Sequence, residues 1–398
     1  MTANEIVPGV HAVGTVDWDR RLFDELVPLP HGTSYNAYLV QGSEKTALID
    51  ASDPEMELPF ITNLMKGGVG HIDYVVVNHA EQDHSGLLPL VLELYSDAKV
   101  VTNATCKDLL QNFLGIADEK IIVIKDGETL SLGNKTLEFL ITPWVHWPDT
   151  MLTYLQEDRI LFSCDLFGAH LATSDLFMSD TCEWYTHAKR YYAEIMMPFR
   201  NSIKGYLERL KSYQIAIICP SHGPIHNRPE TVLEAYADWT SDEVKNIVVI
   251  PYISMHGSTK AMVDFLVRAL VERGVGVKQF QLSLTDTGDL AMAMVDAATI
   301  VIATPTVLFG PHPKVVYAAY LANILKPKTR FVSVITSYGW GGKTVDILTG
   351  MLNHLKVEVI EPVTVKGYPT EETQKDLIRL ADEIFKKHKE IIGVPTGV

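Results

Sequence analysis

The chain predicts an α/β protein in two parts: a mixed unit of two sheets sandwiched between helices, followed by a doubly wound parallel sheet. Three observations carry this reading. Between residue 36 and about 165, short β-branched strands follow one another at close spacing, with tight turns between them. From Ile247 onward the pattern becomes a strict alternation of apolar strands and helices. The short polar stretch SDEVKN at 241–246 lies between the two and reads as a linker, dividing 1–245 from 246–398.

In the first part the expected strands are YNAYLV, TALID after the turn GSEK, YVVVNH, AKVVT, IIVI, KTLEFLIT and DRILFSCD. Helical patterns fall at 54–66, 86–95, 183–197 and 202–212. Strands and helices mixed in this way bury their apolar faces as stacked layers. In the second part IVVIPY leads to a helix from Ser258 to Arg273, and VGVKQFQL to one near 287–297. TIVIAT then precedes a helix near 313–325, RFVSVIT one near 343–354, and VEVIE one near 370–389. Strands followed one by one by helices define parallel crossovers.

At 398 residues the chain is long enough for two or three domains. Its 34 Lys+Arg against 49 Asp+Glu give a net charge of −15, which speaks against a nucleic-acid or anionic-membrane surface. Hydrophobic residues at 47% and charged residues at 21% are globular values. Cys106, Cys164, Cys182 and Cys219 form no C-x-x-C pair, which excludes a zinc ribbon, a rubredoxin-like iron site and a thioredoxin motif. They read as reduced, mostly buried thiols. The N-terminal residues show no signal-peptide pattern and no window has the apolar length of a membrane span, so a soluble cytoplasmic protein is expected.

The chemistry gathers at strand ends. The strand YVVVNH runs directly into His79, Glu81, Asp83 and His84, and a strand end leading into a helix projects such side chains into one crevice. His146 in TPWVHWPDT, Asp165 in ILFSCD and His222 in IAIICPSHG repeat the arrangement. Imidazoles and carboxylates without thiolate suit iron, manganese or zinc, and two metals if Asp165 bridges.

With these residues the chain resembles the metallo-β-lactamase fold, whose hydrolytic members carry an H-x-H-x-D-H signature. Here Glu81 stands at the second His, and a harder anionic donor favours ferric iron over zinc hydrolysis. The H-x-E-x-D-H form resembles the flavodiiron family. The match continues through GTSYNAYLV at 32–40, HWPDTM at 146–151, FGAH at 167–170 and YYAEIMMPF at 191–199. The resemblance implies that His79, Glu81 and His146 hold one iron and Asp83, His84 and His222 the other, with Asp165 bridging. His226 competes with His222, and Gly223 directly after His222 decides for His222. His170 and Tyr192 match family positions near the irons, where they are expected to donate hydrogen bonds or protons. His71, His187 and His312 are expected at the surface or in turns.

In the second part Ser254, Met255, His256, Gly257, Ser258 and Thr259 lie between a strand and a helix, as a terminal-phosphate site requires. Two further loops follow later strands: Pro305, Thr306, Val307, Leu308, Phe309 and Gly310, and then Ser337, Tyr338, Gly339, Trp340, Gly341 and Gly342. Together they resemble flavodoxin, in which three such loops hold FMN. A β-lactamase-like domain followed by a flavodoxin-like domain is the flavodiiron order. It implies FMN and two irons as cofactors, reduction of dioxygen to water or of nitric oxide to nitrous oxide, and an external donor such as rubredoxin or reduced deazaflavin. It also implies a head-to-tail homodimer, with a tetramer as the alternative assembly.

Overall fold

The computed structural model describes residues 4–68 and 70–392. The chain divides into two compact units, Met1–Tyr192 with Phe199–Thr240, and Ala193–Pro198 with Ser241–Val398.

In the first unit a seven-stranded sheet has the spatial order Asn4–Val7, Val10–Ala12, Tyr38–Gln41, Thr46–Ile49, Tyr74–Val76, Lys99–Thr102, Ile121–Val123. The first four strands are antiparallel and the rest are added in parallel. A five-stranded sheet runs Thr129–Ser131, Thr136–Ile141, Met151–Leu155, Ile160–Cys164, Ile217–Pro220, with only its last pair parallel. Alternation along the strands sends Val40, Ile49, Val76 and Val101 toward Phe139, Met151, Phe162 and Cys219, and these form the core between the sheets. The opposite face of the larger sheet, with Leu39, Leu48, Val75 and Val100, packs on Phe60, Leu64, Val91 and Leu110 of three helices. Each such fully buried side chain is worth roughly 1.5–3 kcal/mol of apolar burial.

Two helices fall outside the sequence expectations, Ala104–Leu114 and Pro229–Thr240. The first is started by Asn103, whose side chain accepts from the Thr105 and Cys106 amides, and stopped by Gly115 at φ 66°. The helix expected at 183–197 ends earlier, as Thr181–Tyr191, and continues through a π-helical turn, Tyr192–Met196.

The second unit has the parallel order Gly276–Gln281, Lys245–Tyr252, Ala297–Val307, Phe331–Tyr338, then Glu358–Val359 with Val363–Lys366. This is the 2-1-3-4-5 order of flavodoxin-like sheets. Helices Ser258–Glu272 and Glu371–Ile392 close one face through Met262, Leu266, Leu377 and Ile384. The last strand reaches beyond the expected run VEVIE: Glu358–Val359 pairs with Phe331–Tyr338, and after Pro362, which has no N–H for the ladder, pairing resumes over Val363–Lys366. Among the described residues no helix is long and apolar enough to cross a membrane.

Candidate metal and flavin sites

Strand Tyr74–Val76 ends two residues before Asn78, which is anchored by Asp50 at the end of the neighbouring strand. The Asp50 carboxylate accepts both the Asn78 amide N–H and its side-chain N–H at 2.8 Å. The chain therefore leaves the sheet in a defined direction, and His79, Glu81, Asp83 and His84 follow within one short turn.

The seven sequence-predicted side chains come together in two groups. His79, Glu81, His146 and Asp165 offer atoms all within 4.8 Å of one another, and Asp83, His84 and His222 do the same. Asp165 faces both. Its Oδ2 lies 3.4 Å from His146 Nε2 and 3.8 Å from His79 Nε2, whereas its Oδ1 lies 3.0 Å from His84 Nε2 and 3.3 Å from His222 Nε2. Glu81 Oε2 sits 3.0 Å from His79 Nε2 and 3.2 Å from His146 Nε2. Asp83 reaches His222 Nε2 at 3.2 Å and His84 Nε2 at 3.3 Å.

The donor set fits a pair of iron ions on three counts. Both oxygens of Asp83 and Oδ2 of Asp165 are buried without a hydrogen-bond partner among the described residues, an arrangement costly for carboxylates that bind nothing. The oxygen and imidazole donors are those iron prefers. Cys164 lies beside His84 and Asp165, but burial pushes its thiol well up, so it stays protonated and adds no thiolate. Without metal the imidazoles hold protons instead. Burial opposes the charge on His146 and His222, but carboxylates outweigh it, Asp165 and Glu81 at His146 and Asp165 and Asp83 at His222, bringing His146 to about 9 and His222 to about 10.

His226 lies elsewhere. It is fully buried, its Nε2 donates to the Phe167 carbonyl at 3.2 Å, and its ring packs on Trp184. His170 stands beside the cluster, 5.0 Å from the His222 ring, with Nδ1 2.9 Å from Thr33 Oγ1. Burial, reinforced by the charge on His222, holds it neutral. Tyr192 requires a correction. Its hydroxyl donates to the Trp239 carbonyl at 3.2 Å and its ring packs on Tyr236 and Trp239. The hydroxyl at the site belongs to Tyr191, which donates to Asp165 Oδ1 at 3.1 Å. His187, expected at the surface, is buried edge-on against His31. Asp149, in the motif HWPDT, was also not singled out, although both its oxygens lie 3.1 Å from His79 Nδ1.

In the second unit the expected loops border a cleft of about 290 Å³ at the carboxyl ends of the central strands. Ser254, Met255, His256, Ser258 and Thr259 come from the first loop, Pro305 and Thr306 from the second, and Ser337, Tyr338, Gly339 and Trp340 from the third. Gly257, Val307, Leu308, Phe309, Gly310, Gly341 and Gly342 lie off its walls. Leu308 and Phe309 form a positive-φ turn that folds Gly310–Pro311 back onto Thr306–Val307. Gly367, in the loop after Val363–Lys366, also lines the cleft, with φ at +81°, and carries no sequence signal of its own. Helix Ser258–Glu272 starts at Gly257 without a side-chain cap from that residue, and its first N–H groups form an anion seat next to Ser254 and Thr259. A cleft lined by a helix N-terminus, small hydroxyl side chains and the aromatic Tyr338 and Trp340 fits a flavin mononucleotide.

These features define a class: a two-sheet β-lactamase-like unit with a two-metal histidine–carboxylate cluster, joined in one chain to a flavodoxin-like unit. Residues 33–223 match the family model described as ODP family beta lactamase. The nitric oxide reductase of Moorella thermoacetica is 37% identical over 391 residues, covering 95% of this chain and 97% of its own. The coenzyme F420H2 oxidase of Methanothermobacter marburgensis is 34% identical over 382 residues, covering 92% and 94%. The solved structure of the rubredoxin:oxygen oxidoreductase of Desulfovibrio gigas matches with a TM-score of 0.94 at 29% identity, covering 99% of this chain and 100% of that one. The chain belongs to the flavodiiron protein family and is an oxidoreductase with FMN and a diiron centre as cofactors.

Proposed function

We propose that this chain is a terminal reductase that takes electrons from rubredoxin or a reduced deazaflavin and delivers them to dioxygen, forming water, or to nitric oxide, forming nitrous oxide. The observation that carries the reading is Asp165, which turns one oxygen toward each histidine group. In this reading His79, Glu81 and His146 hold one iron, Asp83, His84 and His222 the other, and Asp165 joins them. The loops at 254–259, 305–310 and 337–342 seat FMN, and the domains are 1–245 and 246–398. The bound irons and FMN supply redox chemistry, two electrons each, which together make the four that dioxygen needs.

The protein's own groups set the surroundings. Tyr191 keeps its proton, since burial pushes its hydroxyl well above the usual range, and it orients Asp165 by donating to Oδ1. His170, neutral and held by Thr33, directs an unpartnered Nε2 into the same aromatic surroundings as His222. Phe23, Tyr35 and Tyr191 surround the His222 ring and keep bulk water from it.

We further propose a head-to-tail homodimer in the cytoplasm, in which the FMN of one subunit serves the irons of the other. Trp340, two-thirds exposed at the cleft, is the residue expected near that junction. Steady-state consumption of both gases, with rubredoxin and deazaflavin donors compared, tests the reaction. Stoichiometric turnover of either gas supports it, and no consumption of either gas by iron- and FMN-loaded protein overturns it.

A further inference from the structure

We infer that Asp149 is a positioning residue that fixes His79 as an Nε2 ligand and makes the two halves of the metal site electronically unequal. The inference rests on the diiron reading above. Each half offers two imidazoles, one carboxylate and one oxygen of Asp165, so the ligand sets are alike in type and differ in what stands behind them, including the Tyr191 hydroxyl that donates to Asp165 Oδ1.

Behind His79 stands a carboxylate. Asp149 is completely buried, and both its oxygens lie 3.1 Å from His79 Nδ1. A carboxylate only accepts, so Nδ1 carries a proton, and Nε2, which faces Glu81 at 3.0 Å and Asp165 at 3.8 Å, is the nitrogen that would bind a metal once its own proton is displaced. The carboxylate is itself held in place: its Oδ2 accepts the Ala80 N–H at 2.8 Å, and its backbone carbonyl accepts the Asn103 side chain at 2.6 Å. Asn103 also caps helix Ala104–Leu114, so the aspartate is tied to a rigid element. The Trp147 ring stands edge-on to His79 at 4.9 Å and keeps it from tilting.

Behind His222 stands a neutral group: its Nδ1 donates to the Ser34 carbonyl at 2.7 Å. A full negative charge on the far side of an imidazole makes it a stronger donor than a carbonyl does. The iron beside His79 is therefore the harder of the two to reduce, and the first electron added to a ferric pair resides on the iron beside His222.

The test uses the iron- and FMN-loaded protein with Asp149→Asn and Asp149→Ala, read by iron per chain under a chelator challenge and by Mössbauer-monitored redox titration. Asp149→Asn keeps the size and an acceptor but removes the charge. It is expected to retain both irons while the harder reduction step becomes easier and the first step stays put. Asp149→Ala is expected to weaken one of the two irons by roughly tenfold to a hundredfold. A parent with two irons whose Asn variant shows unshifted steps, and whose Ala variant holds both irons equally well, overturns the inference alone. A parent that binds no iron overturns the diiron reading itself. If the Ala variant fails to fold, the near-isosteric Asn variant decides.

Discussion

Glu81 separates this site from that of a zinc hydrolase through a single side chain, since it places an anionic oxygen between His79 and His146. Glu81→His is expected to lower iron per chain and gas turnover while FMN stays bound, because a neutral ligand replaces a charged one; iron and flavin counts check it. His222→Ala is expected to cost one iron and His226→Ala none, since only His222 reaches Asp83 and Asp165. For the tyrosine pair, Tyr191→Phe is expected to slow turnover with iron retained, as Asp165 loses a hydrogen bond worth roughly 1.5–3 kcal/mol. Tyr192→Phe is expected to cost about 1 kcal/mol of stability and leave turnover intact, because its hydroxyl donates to the Trp239 carbonyl. Six of the seven proposed ligands were legible because they sit at a strand end or in the dense run after one, whereas His146 lies in the loop between Thr136–Ile141 and Met151–Leu155 and was legible from its motif, TPWVHWPDT. The tyrosines were not, because neighbours on a helix differ by about 100° in facing, and sequence alone does not set the phase.

At the scale of elements, strand periodicity revealed the sheets, and the strict alternation after Ile247 revealed the doubly wound order. Helix Ala104–Leu114 was harder to read, since its clearest marker is one Asn cap and its buried face rests on Cys106 and Leu110. The layers also meet at points that no periodicity encodes. Gly42 follows strand Tyr38–Gln41, and a Cβ there would lie 2.0 Å from the Leu132 carbonyl oxygen. Gly42→Ala must push the backbone of the second sheet's edge aside and is expected to destabilise by roughly 1–3 kcal/mol, seen as a lower Tm. The site also imprints a pH dependence on the metal-free protein. His146 and His222, at about 9 and about 10 against an ordinary 6.5, contribute stability that is fully present below pH 6.5 and lost as pH rises through those values. Burial opposes ionisation of Glu81 and Asp165, but the surrounding histidines hold both below the usual carboxylate range, so their contribution is present above about pH 4.5 and lost in acid. Thermal unfolding of apoprotein is expected to show its highest Tm between about pH 4.5 and 6.5 and to fall as the pH rises from 6.5 through 9 to 10. A Tm that climbs steadily from pH 6 to pH 10 would contradict the apo-site electrostatics.

The whole molecule joins a diiron unit and a flavin unit in one chain, and the proposed dimer would pass electrons between subunits. An FMN-free variant, made by disrupting Ser254–Thr259, mixed with an iron-free variant altered at His79 and Asp165, is expected to form hybrids that turn over although neither parent does. Full activity of monomers at nanomolar concentration would contradict the dimer. Substrate preference and electron donor were not legible in the sequence, because the proposed ligands would serve dioxygen and nitric oxide alike and no motif names the donor. The most direct test of the central claim is quantitation of metals and flavin in the purified chain, followed by anaerobic reduction and exposure to each gas. The account predicts two irons and one FMN per chain, with flavin and irons both reoxidised by at least one gas. Two zincs per chain, or reduced irons inert to both gases, would contradict it.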